Sequence, residues 1–380
     1  MIRILKFVKK SVFQLINKRS DIFRYDVQMM EEYLWSFPEP QDPFDRSFYQ
    51  YKCQMKQLGG LLSSFLNIMA SVSLPILMLL TKTVKIEDRE SNTAVFFSNG
   101  LDNDYMTPSL LNRYEEVINY KNVHSRVIDE VAKGIVYKMI ARHPLSPFWI
   151  LKNFIKLSFY SRAIQLHPCK DIISSCEYSY TSSVLTLYCN MRGKKHINIM
   201  HGDKLFNIRD SFFLFDKFVI WDEHYGELFT DLRASIGKVI VDLPSFFLAD
   251  NKVYGSIIDY KYYLQKEDEE QLRKIHLELL RLKEAGKTVV IRPHPLYSNN
   301  KMVKQIFKDF EIEDTSKIDI MHSIMSSSNV VSRYSTVLFQ AYINGVNTII
   351  DDVSIQGVFE QLTELRYIMI TKVTGRLSDL

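Results

Sequence analysis

The stretch that decides the fold is VVIRPHPLYSNN, Val289 to Asn300. Thr288 to Ile291 is β-branched throughout, which suits a strand buried on both faces of a parallel sheet. Pro293 and Pro295 then exclude helix and remove two backbone donors, so the chain must leave the sheet there. Arg292 and His294 are thereby presented where a strand stops. Ligands of open parallel α/β sheets bind beyond the carboxyl ends of the strands. A guanidinium and an imidazole at that place point to an anionic ligand such as a phosphate. The competing reading is a surface turn with two incidental polar residues.

Downstream, SSNVVSRYSTVLFQAYINGVNTIIDDV predicts a strand over Asn329–Ser332, a helix over Thr336–Asn344 stopped by Gly345, and a strand over Thr348–Ile350. Ser332 ends the first strand, and Ser335 and Thr336 stand before a helix whose first N–H groups have no intrahelical acceptor. That is a ready anion site, and capping by Ser335 is compatible with it. Asp351 and Asp352 follow the last strand, as a sugar contact or a solvated turn. Upstream, a strand over Ile257–Gln265 leads into an amphipathic helix closed by Gly286.

The same alternation occurs earlier in the chain. TAVFFSNG, Thr93 to Gly100, reads as a strand and turn, and a helix is expected between Leu110 and Met139. Strands follow within Lys170–Ser179, over Lys195–Met200 and over Lys217–Trp221, with a helix ending at Gly193. Two such arrays with a hinge near Leu248–Ser256 predict an α/β protein with two Rossmann-like domains facing a cleft. The expected divisions are a helical extension over residues 1–90 and two Rossmann-like domains over 91–250 and 251–380.

In the first domain MHGDKLFNIRD closes a strand. His201 or Asp203 has the chemistry of a general base, Gly202 allows close backbone approach, and Lys204 and Arg209 add positive charge. Asp222 and Glu223, in WDEHY, could bind acceptor hydroxyls or simply begin a helix, where acidic residues are favourable. Glu177 is a candidate of the same kind.

At 380 residues the chain exceeds one typical core. A net charge of only +4 argues against a nucleic-acid partner held by bulk electrostatics. Cys53, Cys169, Cys176 and Cys189 show no C-x-x-C spacing, which fits a reducing cytoplasm and no metal site. The opening MIRILKFVKKSVFQLINKRSDIFRY alternates apolar residues with Arg3, Lys6, Lys9, Lys10, Lys18 and Arg19, the pattern of a basic amphipathic helix. LGGLLSSFLNIMASVSLPILMLL, Leu58 to Leu80, is uncharged and long enough to span a bilayer, but its serines, Asn67 and Pro75 favour a buried helical hairpin or a monotopic membrane contact. A protein peripherally attached to the inner face of the cell membrane is expected.

HGDK, RPHP, and SRYST followed by NGVNTIIDD together resemble bacterial glycosyltransferases of the GT-B fold. The histidine-proline pair with serines resembles sialyltransferases and polysialyltransferases, and the order of motifs also resembles teichoic-acid glycerophosphate polymerases. The resemblance implies an inverting transferase of capsule, O-antigen or lipooligosaccharide synthesis, with a nucleotide-sugar donor, a saccharide or lipid-linked acceptor and no cofactor. It implies an acceptor domain over 91–250 and a nucleotide-sugar donor domain over 251–380, with His294, Ser335 and Thr336 for the donor phosphate, and Asp203 for the base. On the polymerase resemblance the base is His201 and the donor CDP-glycerol. A non-catalytic membrane scaffold is the alternative of a different class.

Overall fold

The computed structural model describes residues 26–87, 91–97, 105–121, 126–249 and 257–380. The basic helix expected over the first 25 residues lies outside them, as does most of the expected hinge. The chain divides into two compact units. One comprises Met1–His201 and Phe206–Leu243, the other Gly202–Leu205 and Pro244–Leu380.

The first unit opens with three helices, α1 (Val27–Trp35), α2 (Pro43–Leu58) and α3 (Gly60–Leu80). The Asp42 carboxylate caps α2 by accepting the Phe44 and Asp45 N–H groups, with Pro43 in the first turn. The helical hairpin expected within Leu58–Leu80 is not there: α3 runs unbroken through Pro75. Ser71 and Ser73 donate to carbonyls one turn back within the helix, and Asn67 Oδ1 accepts the Phe148 N–H at 3.2 Å, so these polar residues are accommodated without a turn. Ala70 and Leu74 are its only buried residues.

The helices give way to β1 (Lys82–Val84), β2 (Thr93–Phe97), a short α4 (Pro108–Leu111), β3 (Glu116–Asn119) and β4 (Val127–Asp129). The single helix expected over Leu110–Met139 is therefore corrected to two strands and a later helix, α5 (Glu130–Arg142). The Asp129 carboxylate accepts the Ala132 N–H at 2.7 Å and fixes where that helix begins. After α6 (Pro147–Leu166) come β5 (Asp171–Ser174), α7 (Ser182–Met191), β6 (Lys195–Ile199), β7 (Leu214–Ile220), α8 (Glu223–Asp231) and β8 (Ser235–Val241). The main sheet is parallel throughout, in the order β3-β2-β5-β6-β7-β8. Phe44, Tyr51, Met55 and Leu74 share one core cluster with Val95, Trp149, Ile172 and Tyr188, so α2 and one point of α3 are part of this unit's interior.

The second unit alternates strictly: β9 (Ile258–Tyr263), α9 (Glu269–Glu284), β10 (Val289–Arg292), α10 (Lys301–Ile306), β11 (Glu311–Ile312), α11 (Ile320–Met325), β12 (Ser327–Ser332), α12 (Thr336–Ile343), β13 (Asn347–Ile350), α13 (Val358–Glu364) and β14 (Gly375–Arg376). A reciprocal Asp268–Gln271 capping box starts α9. All four residues of β10 are buried, as a doubly covered parallel strand requires. The sheet order is β11-β10-β9-β12-β13-β14, again wholly parallel. The order reverses between β9 and β12, the place where an open α/β sheet leaves a ligand crevice. Two Rossmann-like parallel sheets and the N-terminal helices make this a GT-B-like α/β protein.

Candidate functional site

In the first unit the loop after β5 and the end of β6 converge on His201. Its Nδ1 lies 2.7 Å from Ser175 Oγ and 3.6 Å from Glu177 Oε1. Glu177 is fully buried, and the Asn198 amide donates to its Oε2 at 2.9 Å. A carboxylate facing Nδ1 favours the tautomer protonated there, which makes Nε2 the basic nitrogen. The imidazole itself is one-third exposed. Glu177, expected to touch the acceptor, is instead a buried support of His201. Ser175 was missed by the sequence reading, having nothing to distinguish it from its serine neighbours.

Helix α2 braces this loop from behind. The Gln50 amide donates to the Glu177 carbonyl at 2.9 Å and to the Arg209 carbonyl at 3.0 Å. The Gln54 amide likewise reaches the carbonyls of Tyr178 and Arg209, at 2.8 and 3.1 Å. Ser47 Oγ donates to the Tyr180 carbonyl at 2.6 Å. No motif in the sequence marks these residues, because their partners are main-chain atoms 124 to 159 positions away.

The other acceptor-side candidates have structural partners. Arg209 forms a two-pronged pair with the adjacent Asp210, at 2.7 and 3.1 Å. Asp222 caps α8 by accepting the His224 N–H at 3.0 Å, and Glu223 is in its first turn. Lys204 is buried. These positions match the helix-start reading for Asp222 and Glu223 and give no group of acceptor ligands.

In the second unit the register sets Arg292 level with Tyr263, and Ser332 one step past the Val331–Tyr262 pair on the other side of β9. His294 and Ser335 thus follow the ends of β10 and β12 at the same sheet edge, and those two strands are two spacings or about 10 Å apart. His294 Nδ1 accepts the Leu296 N–H at 3.1 Å, and its own N–H donates to Ser298 Oγ at 2.6 Å. Burial lowers its pKa below the ordinary histidine value. A neutral ring accepting at Nδ1 carries its proton on Nε2, as a donor.

Ser335 caps α12 by accepting the Val337 N–H at 3.2 Å. Thr336 Oγ1 accepts the Asp203 N–H at 3.2 Å, and Tyr334 donates to the Asp203 carbonyl at 3.1 Å. Residues 202–205 therefore pack with this unit. Gly202 makes the departure from β6 with φ +67°, a conformation that favours glycine. Asp203, expected beside the acceptor on the first domain, is placed with the donor-side hydroxyls.

Two expected donor ligands have internal partners. Arg292 is buried, pairing with Glu313 and donating from Nη2 to the Ile318 carbonyl at 3.0 Å. Glu313 also accepts from Lys261 at 2.6 Å and from Ser323 at 2.6 Å. Burial alone would raise the Glu313 pKa, but the hydrogen bonds from Lys261, Ser323 and Arg292 outweigh it and hold it below the usual carboxylate value. Ser332 is fully buried and donates to the Tyr263 carbonyl at 3.0 Å. The strand that leads to His294 thus ends in an internal ion pair.

No protein-family profile and no curated protein matches the chain. Among solved structures it is similar to a wall teichoic acid polymerase TagF variant soaked with CDPG, at 13% identity over 77% of this chain and 79% of that one, with a TM-score of 0.39. It is also similar to the S. aureus MnaA–UDP complex (10% identity, 69% and 79% covered, TM-score 0.41). A third likeness is to a UDP-glucose: anthocyanidin 3-O-glucosyltransferase in complex with UDP (10% identity, 69% and 80% covered, TM-score 0.36).

Proposed function

We propose that this protein is a glycosyltransferase that moves a sugar from a nucleotide-activated donor to a saccharide or lipid-linked acceptor in bacterial surface-polysaccharide synthesis. The observation that carries the reading is His201, held at Nδ1 by Ser175 and the buried Glu177. Such an imidazole takes a proton at Nε2, while the carboxylate stabilises the imidazolium that results. The acceptor hydroxyl, losing its proton to His201, attacks the anomeric carbon, and the bond to the nucleotide phosphate breaks with inversion. His294 Nε2–H and the N-terminus of α12 are the donors assigned to the departing phosphate. Thr336 Oγ1 accepts from Asp203, which leaves its O–H to donate.

The same geometry favours a second reading, transfer of glycerophosphate from CDP-glycerol. On the resemblance described above, His201 rather than Asp203 is the base of that chemistry, and His201 has the buried carboxylate partner. The two readings differ in the electrophile, an anomeric carbon or a phosphorus atom. Purified protein is therefore titrated with CMP-, UDP- and CDP-linked donors and followed by thermal shift. A ligand at about one hundred times its Kd adds about 2.7 kcal/mol to stability. A shift with CDP-glycerol alone selects the second reading, and no shift with any donor overturns both.

We further propose attachment to the cytoplasmic face of the membrane through α3. Leu61, Phe65, Ile68, Val72, Ile76 and Leu79 are exposed along it, and only 11% of its most apolar window is buried. Both ends of α3 are tied to the same unit: α2 precedes it, and β1 beyond it pairs with β4. That tethering supports a helix lying on the membrane rather than across it.

A further inference from the structure

A cavity of about 200 Å³ in the first unit plays no part in the reaction above. It opens where β2 and β5 end, lined by Phe97 and Ser174, with Ser179 and Thr181 from the loop beyond β5. The sheet order reverses between these two strands, so the cavity occupies the switch point of the first sheet. Two lysines one helical turn apart on α6, Lys152 and Lys156, complete its wall.

Neither lysine has a carboxylate within ion-pair distance among the described residues. Lys152 Nζ lies 4.1 Å from the centre of the Tyr180 ring, and Lys156 Nζ lies 6.0 Å from that of Phe159. Burial, and secondly the charge of Lys156, push the Lys152 amine down to about 8. Two ammonium groups line the cavity together with serine and threonine hydroxyls, and no carboxylate among its lining residues balances them. The volume is below the roughly 300–1,000 Å³ of a site for a whole drug-sized molecule. It suits one compact group at the end of something larger.

We propose that this cavity is a binding site for a phosphate-sized oxyanion, held between Lys152 and Lys156, with the mutually bonded hydroxyls of Ser179 and Thr181, 2.9 Å apart, supplying a further donor. The inference uses neither His201 nor His294, and it stands or falls separately from the proposed reaction. Pyrophosphate and inorganic phosphate are the probes, and acetate distinguishes a carboxylate site from a phosphate site.

The test is amine acylation of the full-length protein, with each lysine read by peptide mass spectrometry and the exposed Lys317 as internal reference. Pyrophosphate or phosphate should slow labelling of Lys152 and Lys156 at least about threefold relative to Lys317, and acetate should not. The Lys152→Met, Lys156→Met double variant should lose the thermal stabilisation that pyrophosphate gives the wild type. Equal protection of all three lysines overturns the site, as does undiminished stabilisation of the double variant. Protection by acetate equal to that by phosphate overturns the phosphate assignment. Because the labelling is done on the wild-type chain, it decides the matter even if the double variant does not fold.

Discussion

Replacing Glu177 by glutamine removes one charge and keeps the shape. The new carboxamide oxygen can still accept from Asn198, so the loop should hold and the melting temperature should change little. What is lost is the attraction between the carboxylate and the imidazolium that forms when His201 takes the acceptor's proton. At the observed 3.6 Å, Coulomb's law gives about 1.2 kcal/mol in water and about 4.6 kcal/mol at an effective dielectric near 20. Glu177 is fully buried and His201 only partly, so the effect lies between these bounds. At 1.36 kcal/mol per tenfold, kcat should fall between about 10-fold and about 10³-fold. The donor KM should stay put, because the donor phosphate is assigned to the other unit. Initial rates with the donor selected by thermal shift provide the assay, with His201→Ala and the double variant run in parallel. If the residues act together, the double variant falls no further than His201→Ala. A Glu177→Gln protein that folds normally and keeps wild-type kcat would refute the pair.

His294→Ala should lower turnover about 10²-fold, the usual loss on removing a leaving-group stabiliser, with its effect read from kcat and folding checked by circular dichroism. Glu313→Gln should destabilise the protein by about 3–5 kcal/mol in urea titration, since it strands Lys261 and Arg292 as buried charges. In the wild type, Glu313 has a folded-state pKa below its unfolded value, so its contribution is complete above about pH 4.3 and lost as pH falls through the folded value. Acid unfolding that is identical in wild type and Glu313→Gln would sink that account. Phe65→Asp with Ile68→Asp should shift the protein from the membrane pellet to the supernatant, and unchanged sedimentation would remove α3 from the attachment.

The parallel sheets were legible in sequence wherever a strand is buried on both faces and ends at a turn residue. Val289–Ile291, Ile197–Ile199 and Val330–Ser332 are of this kind. The edge strand β8 was not expected, because none of its residues is buried and Gly237 interrupts the apolar pattern. Among the candidate residues, His201 and His294 were marked by the Gly or Pro beside them. The fates of Arg292 and Glu177 were invisible, since each depends on a partner from another strand: Glu313 after β11 for the one, His201 after β6 for the other. A side chain's position at a strand end can be read locally, but whether it faces a ligand or an internal counter-charge cannot.

The bracing by α2 changes what the N-terminal segment is for. Gln50 and Gln54 act as a backstop behind the His201 loop, and a single residue, Gly59, joins that backstop to the apolar helix α3. A shortened chain starting at the first sheet, the obvious way to make the protein more soluble, would discard both at once. The carbonyls of Glu177, Tyr178 and Arg209 would face water in place of two fixed amides, and the imidazole would wander with its loop. Solubility gained that way would come with a slack trigger, and an inactive truncated protein would say nothing about whether the membrane itself is needed for turnover.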